Sequence, residues 1–359
     1  MAQILIKNGT VVNAEGEKEA DVLIEDEYIS AIGKIDRTAE TVIDAKGCYV
    51  FPGFIDPHTH LELSPHLFTK DSEAALLGGT TAVIEYTAQR RGQTLSGTLE
   101  KWHEMASGSS IDYGFHMGVA QWNENLEAEL ADMVHAGITS FKMYMAYDDL
   151  RVSDLEIYRA LKAFKRYNVL LCMHCENGDL VDAATEETVK KGVLTPSGHS
   201  MAHPAVSEVE AIARFLYIAR MAKMPAYVVH LSTKEGLEII RRVRKNGQVV
   251  YAETCPQYLV LSEDCYHEEN GQKYIMSPPL RTKADCESLW EAVSSGEIQT
   301  IGTDHCSFSR RDKIDGADDF RKAKNGCPGI EHRGVIMYTE GVLTGKISKS
   351  QFEIGRAHV

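Results

Sequence analysis

Two histidines one residue apart close the stretch Tyr49 to His60, where an apolar run through Phe51, Phe54 and Ile55 gives way to Asp56-Pro57-His58-Thr59-His60. Residues i and i+2 of a strand face the same way. His58 and His60 can therefore aim ring nitrogens at one point beyond the strand end, which suits a metal ion. As an isolated pair they read first as loop histidines. The pair has company, because Lys142, His174, His230 and Asp304 each stand near the end of a separate, later apolar run. Taken singly, His174 and His230 read as core histidines bonded to a carbonyl or as ligands. Asp304 ends the run Ile301-Gly302-Thr303, where an unpaired carboxylate is costly, so it calls for a cation. Lys142 has no lone pair as an ammonium and on its own reads as an ion-paired or snorkelling lysine. His305 points elsewhere, and the remaining histidines, among them His116, His199 and His203, take a surface or loop reading.

The elements that must position these residues follow from the pattern. Short strands occupy the first fifty residues, at Ile4–Ile6, Thr10–Val12, Ala20–Ile24, Ile29–Ile32 and Thr41–Ile43, with Asn8-Gly9 and Glu15-Gly16 as turn signals. From Tyr49 on, strands alternate with helix-length amphipathic stretches, which argues for an α/β fold with a parallel sheet. The expected strands are 49–58, 80–87, 113–121, 140–147, 169–175, 226–232, 249–255 and 298–304. Helices are expected at Leu95–Met105, Leu126–Ala136, Asp154–Tyr167, Val206–Ala222 and Lys234–Lys245. Eight such units close a (β/α)8 barrel of TIM type, in which chemistry sits at the carboxyl ends of the strands. The six candidate residues fall there, from five different strands.

Composition narrows the function classes. The 359 residues are 43% apolar, enough for one large barrel or two smaller domains, and the net charge of −14 opposes nucleic acid and anionic membrane surfaces. No apolar run nears the roughly 20 residues that span a bilayer, and the first residues lack a signal-peptide pattern, so a cytoplasmic location is expected. Eight cysteines spread from Cys48 to Cys327 read as reduced thiols. Cys172 and Cys175 have CxxC spacing, but on a strand the odd separation sends them to opposite faces.

Several motifs together resemble the cyclic amidohydrolases, specifically the hydantoinase/dihydropyrimidinase group of the amidohydrolase superfamily. They are Gly53-Phe54-Ile55-Asp56-Pro57-His58-Thr59-His60, Phe141-Lys142, Thr254-Cys255-Pro256-Gln257-Tyr258, Ser277-Pro278-Pro279-Leu280-Arg281, Gly302-Thr303-Asp304-His305 and Asn325-Gly326-Cys327-Pro328-Gly329. The resemblance implies a metal-dependent hydrolase barrel at 49–352 and the N-terminal part of a β-sandwich domain at 1–48. It implies two Zn2+ per chain: His58 and His60 on one, His174 and His230 on the other, Asp304 on the first. Carbamylated Lys142 (N6-carboxylysine) and a hydroxide would bridge them. It further implies that Asp304 carries a proton from the hydroxide to the leaving ring nitrogen and that the Tyr147 hydroxyl stabilises the oxyanion. Ser277 and Asn325 would bind the imide edge of the ring, largely through backbone groups.

The activity implied is the opening of cyclic amide or ureide rings, such as 5-substituted hydantoins and dihydropyrimidines in pyrimidine degradation, to N-carbamoyl amino acids, by a homotetramer. Two departures bear on the ring-substituent pocket: the segment Leu61 to Leu77 is short for the family, and His203-Pro204 stands in place of Arg-Pro. The alternatives are an allantoinase, a dihydroorotase-like enzyme, or a non-enzymatic oligomeric adaptor of the same fold. The filled ligand positions disfavour the adaptor. Leu61-Glu62-Leu63, where dihydroorotases carry an arginine, disfavours a carboxylated substrate.

Members of the family continue for roughly another hundred residues that complete the sandwich. The closing residues Glu353-Ile354-Gly355-Arg356-Ala357-His358-Val359 back-translate to the opening bases of a common short-read sequencing adaptor, so 353–359 are expected to be a non-native tail. The strands within Ile4 to Ile43 would then present open edges and an apolar face. Resequencing the source locus is expected to depart from the present sequence near Phe352. An in-frame stop directly after Val359, in genomic DNA carrying the same tail, would contradict this.

Overall fold

Two sheets hold the strands of the computed structural model, which describes residues 3–63 and 67–354. The smaller contains β1 (Gln3–Asn13), β2 (Gly16–Glu25), β3 (Tyr28–Gly33), β4 (Thr41–Asp44) and β5 (Tyr49–Val50), ordered β3-β2-β1-β4 with β5 also on β1. The pieces Ile4–Ile6 and Thr10–Val12 belong to one strand, so Asn8-Gly9 is not a turn. Asn8 instead takes a φ of 62° and donates its backbone N–H to Asp21 Oδ1 at 2.9 Å, and the ladder to β2 resumes at Gly9 opposite Ala20. Asparagine tolerates this left-handed geometry, and the carboxylate takes the donor that the ladder loses. On the outer strands Tyr28, Ile29, Ile32, Val42 and Ile43 are exposed.

The larger sheet contains β6 (Phe54–Thr59), β7 (Thr80–Tyr86), β8 (Asp112–Gly118), β9 (Ser140–Tyr144), β10 (Leu170–His174), β11 (Ala226–Val228), β12 (Val250–Thr254) and β13 (Thr300–Ile301), each parallel to the next. This is the expected (β/α)8 barrel. The expected strand 49–58 divides, because Pro52 has no N–H to offer a ladder. Tyr49–Val50 joins the small sheet and Phe54–Thr59 opens the barrel. The strands expected at 226–232 and 298–304 are shorter than expected, since His230 (φ 38°) and Asp304 (φ 53°) leave the extended region.

First and last strands meet at a seam. The Asp304 N–H donates to the His58 carbonyl (2.9 Å), and the His60 N–H donates to that of His305 (2.9 Å). Below them Arg333, with no exposed surface, donates through Nη1 to the carbonyls of Ile55 and Ile301, both at 2.9 Å, and stands 3.7 Å from Asp56.

Helices cover the barrel. In Lys234–Lys245 the Thr233 hydroxyl caps the Gly236 N–H, worth about 1 kcal/mol. Leu237, Ile240 and Val243 recur every three residues and are buried, while Arg242, Arg244 and Lys245 complement the negative helix end. Leu95–Ala106, Asp154–Phe164 and Ala205–Ala222 lie where helices are expected, but the stretch Leu126–Ala136 is two short helices, Glu124–Ala128 and Leu130–His135, parted at Glu129. The Glu129 carboxylate reaches across to accept from the Ser96 N–H and hydroxyl. The helix Lys349–Ile354 ties the two sheets together: Lys349 pairs with Glu17, and the Phe352 ring packs on Phe51 and Phe54. Of the expected tail, 355–359 lie outside the described residues, as do His66 and His358. No described helix is long and apolar enough to cross a membrane.

Replacing Arg333 with Met should leave Asp56 buried without its cation and lower stability by about 3–5 kcal/mol. Urea denaturation measures it, and a midpoint equal to the parent protein's would show that the guanidinium does not hold the seam.

Candidate metal centre

Each candidate side chain leaves the barrel wall where its strand ends. His58 lies on β6 and His60 one residue past it, Lys142 on β9, His174 at the last position of β10, and His230 and Asp304 just beyond β11 and β13. Two of these side chains, and Tyr147 beside them, need unusual backbone. His230, Asp304 and Tyr147 all have positive φ, which costs a non-glycine residue about 1–3 kcal/mol and places the side chains off the strand direction. Gly302 lets β13 approach, because a Cβ there would lie 2.6 Å from the His58 Cβ.

The ring nitrogens converge in two pairs. His58 Nε2 and His60 Nε2 stand 3.1 and 3.3 Å from Asp304 Oδ1. His174 Nδ1 and His230 Nε2 are 2.9 Å apart. Potential ligand atoms of His58, His230 and Asp304 all lie within 4.8 Å of one another. Lys142 Nζ sits 4.4 Å from the Tyr86 ring centroid and 5.4 Å from that of Tyr144. His60, Lys142, Tyr147, His174, His230, Ser277, Asp304 and Asn325 line one cavity of about 240 Å³, and His58, without exposed surface, lies behind Asp304. The Tyr147 ring is 5.1 Å from that of His174.

The electrostatics are those of buried groups held in place by their neighbours. Burial opposes charge on His58, but Glu253 and Asp304 outweigh it and raise its pKa. Burial lowers the pKa of His174, and lowers that of His230 further with help from His174 and Lys142. Burial also lowers Lys142, which favours its neutral amine. Burial would raise Asp304, yet His58 and His60 hold it well below the ordinary carboxylate range. Burial raises the Tyr147 hydroxyl well above its ordinary value, keeping it a donor.

Sequence reasoning missed the carboxylates behind the histidines. Glu253 Oε1 accepts from His58 Nδ1 at 2.6 Å and from the His230 N–H at 3.2 Å, while Oε2 accepts from the Tyr227 hydroxyl at 2.8 Å. Glu176 bridges His174 Nε2 and His203 Nδ1, both at 2.9 Å. One signal was available: Glu176 follows His174 by two residues. The surface or loop reading fails for three histidines, all buried. His116 stacks on Tyr86 inside the barrel, His199 bonds the Met276 carbonyl, and His203 serves Glu176. His116 falls within the expected strand 113–121, where the alternation of Phe115, Met117 and Val119 was a signal of burial, while the stretches around His199 and His203 carry no such pattern. His305 does turn away, its Nδ1 accepting from the Gly329 N–H. Cys172 packs inside the barrel and Cys175 in the outer core, as free thiols on opposite faces.

The donor set fits cations. Two ring nitrogens 2.9 Å apart require a proton or a cation between them, and His230 Nδ1 is buried with no hydrogen-bond partner. Residues 49–342 match the family model described as "Amidohydrolase family". The chain belongs to the amidohydrolase family. Within it, the chain is similar to a D-hydantoinase of Geobacillus stearothermophilus, 42% identical over 97% of this chain and 77% of that protein. The fold matches the crystal structure of a dihydropyrimidinase from Brevibacillus agri at a TM-score of 0.95 and 39% identity, covering 99% of this chain and 80% of that one. It also matches an L-hydantoinase (dihydropyrimidinase) from Arthrobacter aurescens at a TM-score of 0.90 and 30% identity, covering 100% and 81%. These relatives place this amidohydrolase in the hydantoinase group, as a metal-dependent hydrolase of cyclic amides.

Because Glu253 fixes which His58 nitrogen faces the cavity, Glu253→Gln should weaken metal binding by about 10–100-fold. Competition with a chelator measures it, and unchanged affinity would remove Glu253 from the centre.

Proposed function

We propose that the chain is a binuclear zinc hydrolase that opens 5-substituted hydantoins and dihydropyrimidines to N-carbamoyl amino acids. The observation that carries this reading is the convergence of three imidazoles, Asp304 and an uncharged-leaning lysine on one cavity, with the His58 ring against Asp304 behind it. His58 and His60 would hold one ion, His174 and His230 the other, with Asp304 on the first. A neutral Lys142 amine can add carbon dioxide with loss of a proton, and the carbamate would supply oxygen ligands to the centre. Bound there, two divalent ions lower the pKa of water and polarise a carbonyl.

The chain's own residues do the rest. Asp304, ionised because His58 and His60 hold its pKa down, accepts the proton of the attacking water and returns it to the leaving ring nitrogen. Tyr147, still protonated at neutral pH, donates to the oxyanion as the carbonyl becomes tetrahedral. Ser277 and Asn325, on two neighbouring loops of the cavity, hold the imide edge of the ring and present its carbonyl to Tyr147. An anionic ring fits poorly: Arg90 on the cavity wall is already paired with Asp149. The reading includes a homotetramer in the cytoplasm, and eight free thiols suit a reducing compartment.

A panel of hydantoin, dihydrouracil, allantoin and dihydroorotate with zinc-loaded protein tests the substrate class. Fastest opening of the first two is expected, and turnover of dihydroorotate alone would reject the reading. Lys142→Ala should lose bound metal and nearly all activity, with partial rescue by a short carboxylic acid; a variant keeping both metals and full rate would refute the carbamate. Asp304→Asn should cost about 10²–10⁴ in kcat with a much smaller loss of metal. Near-parental turnover would take Asp304 out of the proton transfer.

A further inference from the structure

We propose that Lys313 is a positioning residue that holds the loops carrying Ser277 and Asn325 at the spacing a cyclic amide needs. The inference rests on the reading that these two residues meet the substrate. Lys313 lies outside the cavity, on the short helix Arg310–Ile314, and is 6% exposed. Its ammonium donates to the Ile275 carbonyl at 2.6 Å and to the Lys324 carbonyl at 2.5 Å. Ile275 lies two residues before Ser277, and Lys324 immediately precedes Asn325.

One backbone bond also joins the loops directly, from the Gly326 N–H to the Ile275 carbonyl at 3.2 Å. That carbonyl therefore accepts from both Gly326 and Lys313. The Lys324 N–H is tied to the Asp312 carbonyl at 3.2 Å, but its own carbonyl converges with that of Ile275, and buried carbonyls so placed repel unless a donor stands between them. A buried cation is expensive, and here its hydrogen-bonded partners are two carbonyl dipoles rather than a carboxylate. The charge is thus placed where it orders backbone.

Burial brings the Lys313 pKa down to about 8. The other groups facing it are the thiols of Cys306 and Cys327, His199, and the Asp312–Lys324 ion pair. Burial raises the Cys327 thiol to about 12 and Cys306 well above its ordinary value, and lowers His199 to about 3. Asp312 is held below its ordinary value by hydrogen bonds from Ser309. Between pH 7 and 9, therefore, Lys313 changes charge while the two thiols, His199 and Asp312 do not. Below pH 8 it makes two charge-assisted bonds; above it, the neutral amine donates more weakly, and the loops loosen.

The test compares the parent protein with Lys313→Met and Lys313→Gln, all zinc-loaded. For a ring that the parent opens, Lys313→Met should raise KM about tenfold or more, change kcat by less than about threefold, and leave metal content unchanged. The parent's KM should climb as pH passes 8, and both variants should lack that climb. Glutamine keeps an N–H donor, so Lys313→Gln should recover part of the loss at pH 7, and it carries the test if the Met variant does not fold. Amide hydrogen exchange provides a substrate-free arm: exchange at 275–277 and 324–327 should quicken at least fivefold in the variants, and in Lys234–Lys245 stay unchanged. Equal exchange in both segments, or an unchanged KM with the parent active, overturns the proposal. A parent that opens no cyclic amide defeats the functional reading alone, and the exchange arm still decides whether Lys313 orders these loops.

Discussion

A carboxylate without exposed surface, Glu253 of β12, accepts from an imidazole on β6, a phenol on β11 and a backbone N–H just past the end of β11. Left unpaired, a charge so buried costs several kcal/mol. The barrel therefore cannot relax in ways that remove these donors. His58 keeps its Nδ1–H on Glu253 and offers Nε2 to the cavity, and His230 keeps its bent backbone. Glu176 does the same for His174, with His203 on its other oxygen. The geometry of the cavity thus depends on groups that never reach it.

The same economy appears in the backbone. Strand hydrogen bonding would carry His230 and Asp304 straight on, with side chains alternating between faces. Both residues instead break the ladder within two or three residues of the last paired position, and each break is secured by a neighbour: the Glu253 carboxylate takes the His230 N–H, and the His58 carbonyl takes that of Asp304. Local strain of this kind persists only where the surroundings over-determine it. Here the surroundings are the adjacent strands β12 and β6.

Much of this was legible in the residues. The His58-x-His60 spacing, the lone Asp304 after an apolar run and eight alternating strand and helix patterns each carry a local signal, and these pointed to the barrel and to the six converging side chains. The unreadable parts are those fixed by partners far along the chain. Nothing near Glu253 says that its carboxylate meets His58, 195 positions away, and nothing near His116 says that Tyr86 covers it. Asn8-Gly9 has turn chemistry, but Asp21 supplies an acceptor that absorbs it as an irregularity within β1. Pro52 gave a usable warning that a single strand could not run from Tyr49 to His58.

The seam has a consequence for how the protein is made. Arg333 bonds a carbonyl 278 residues earlier in the chain, and Asp304 meets His58 across nearly the same span. A ribosome adding about 5–20 residues per second leaves His58 and His60 waiting roughly 12–50 s for Asp304 to appear. Throughout that interval the half-made parallel sheet has an unsealed flank and histidines without their carboxylate, a state that favours stray pairing with other nascent chains. Maturation of the centre is consequently a late event in the life of the polypeptide, timed by translation rather than by local folding.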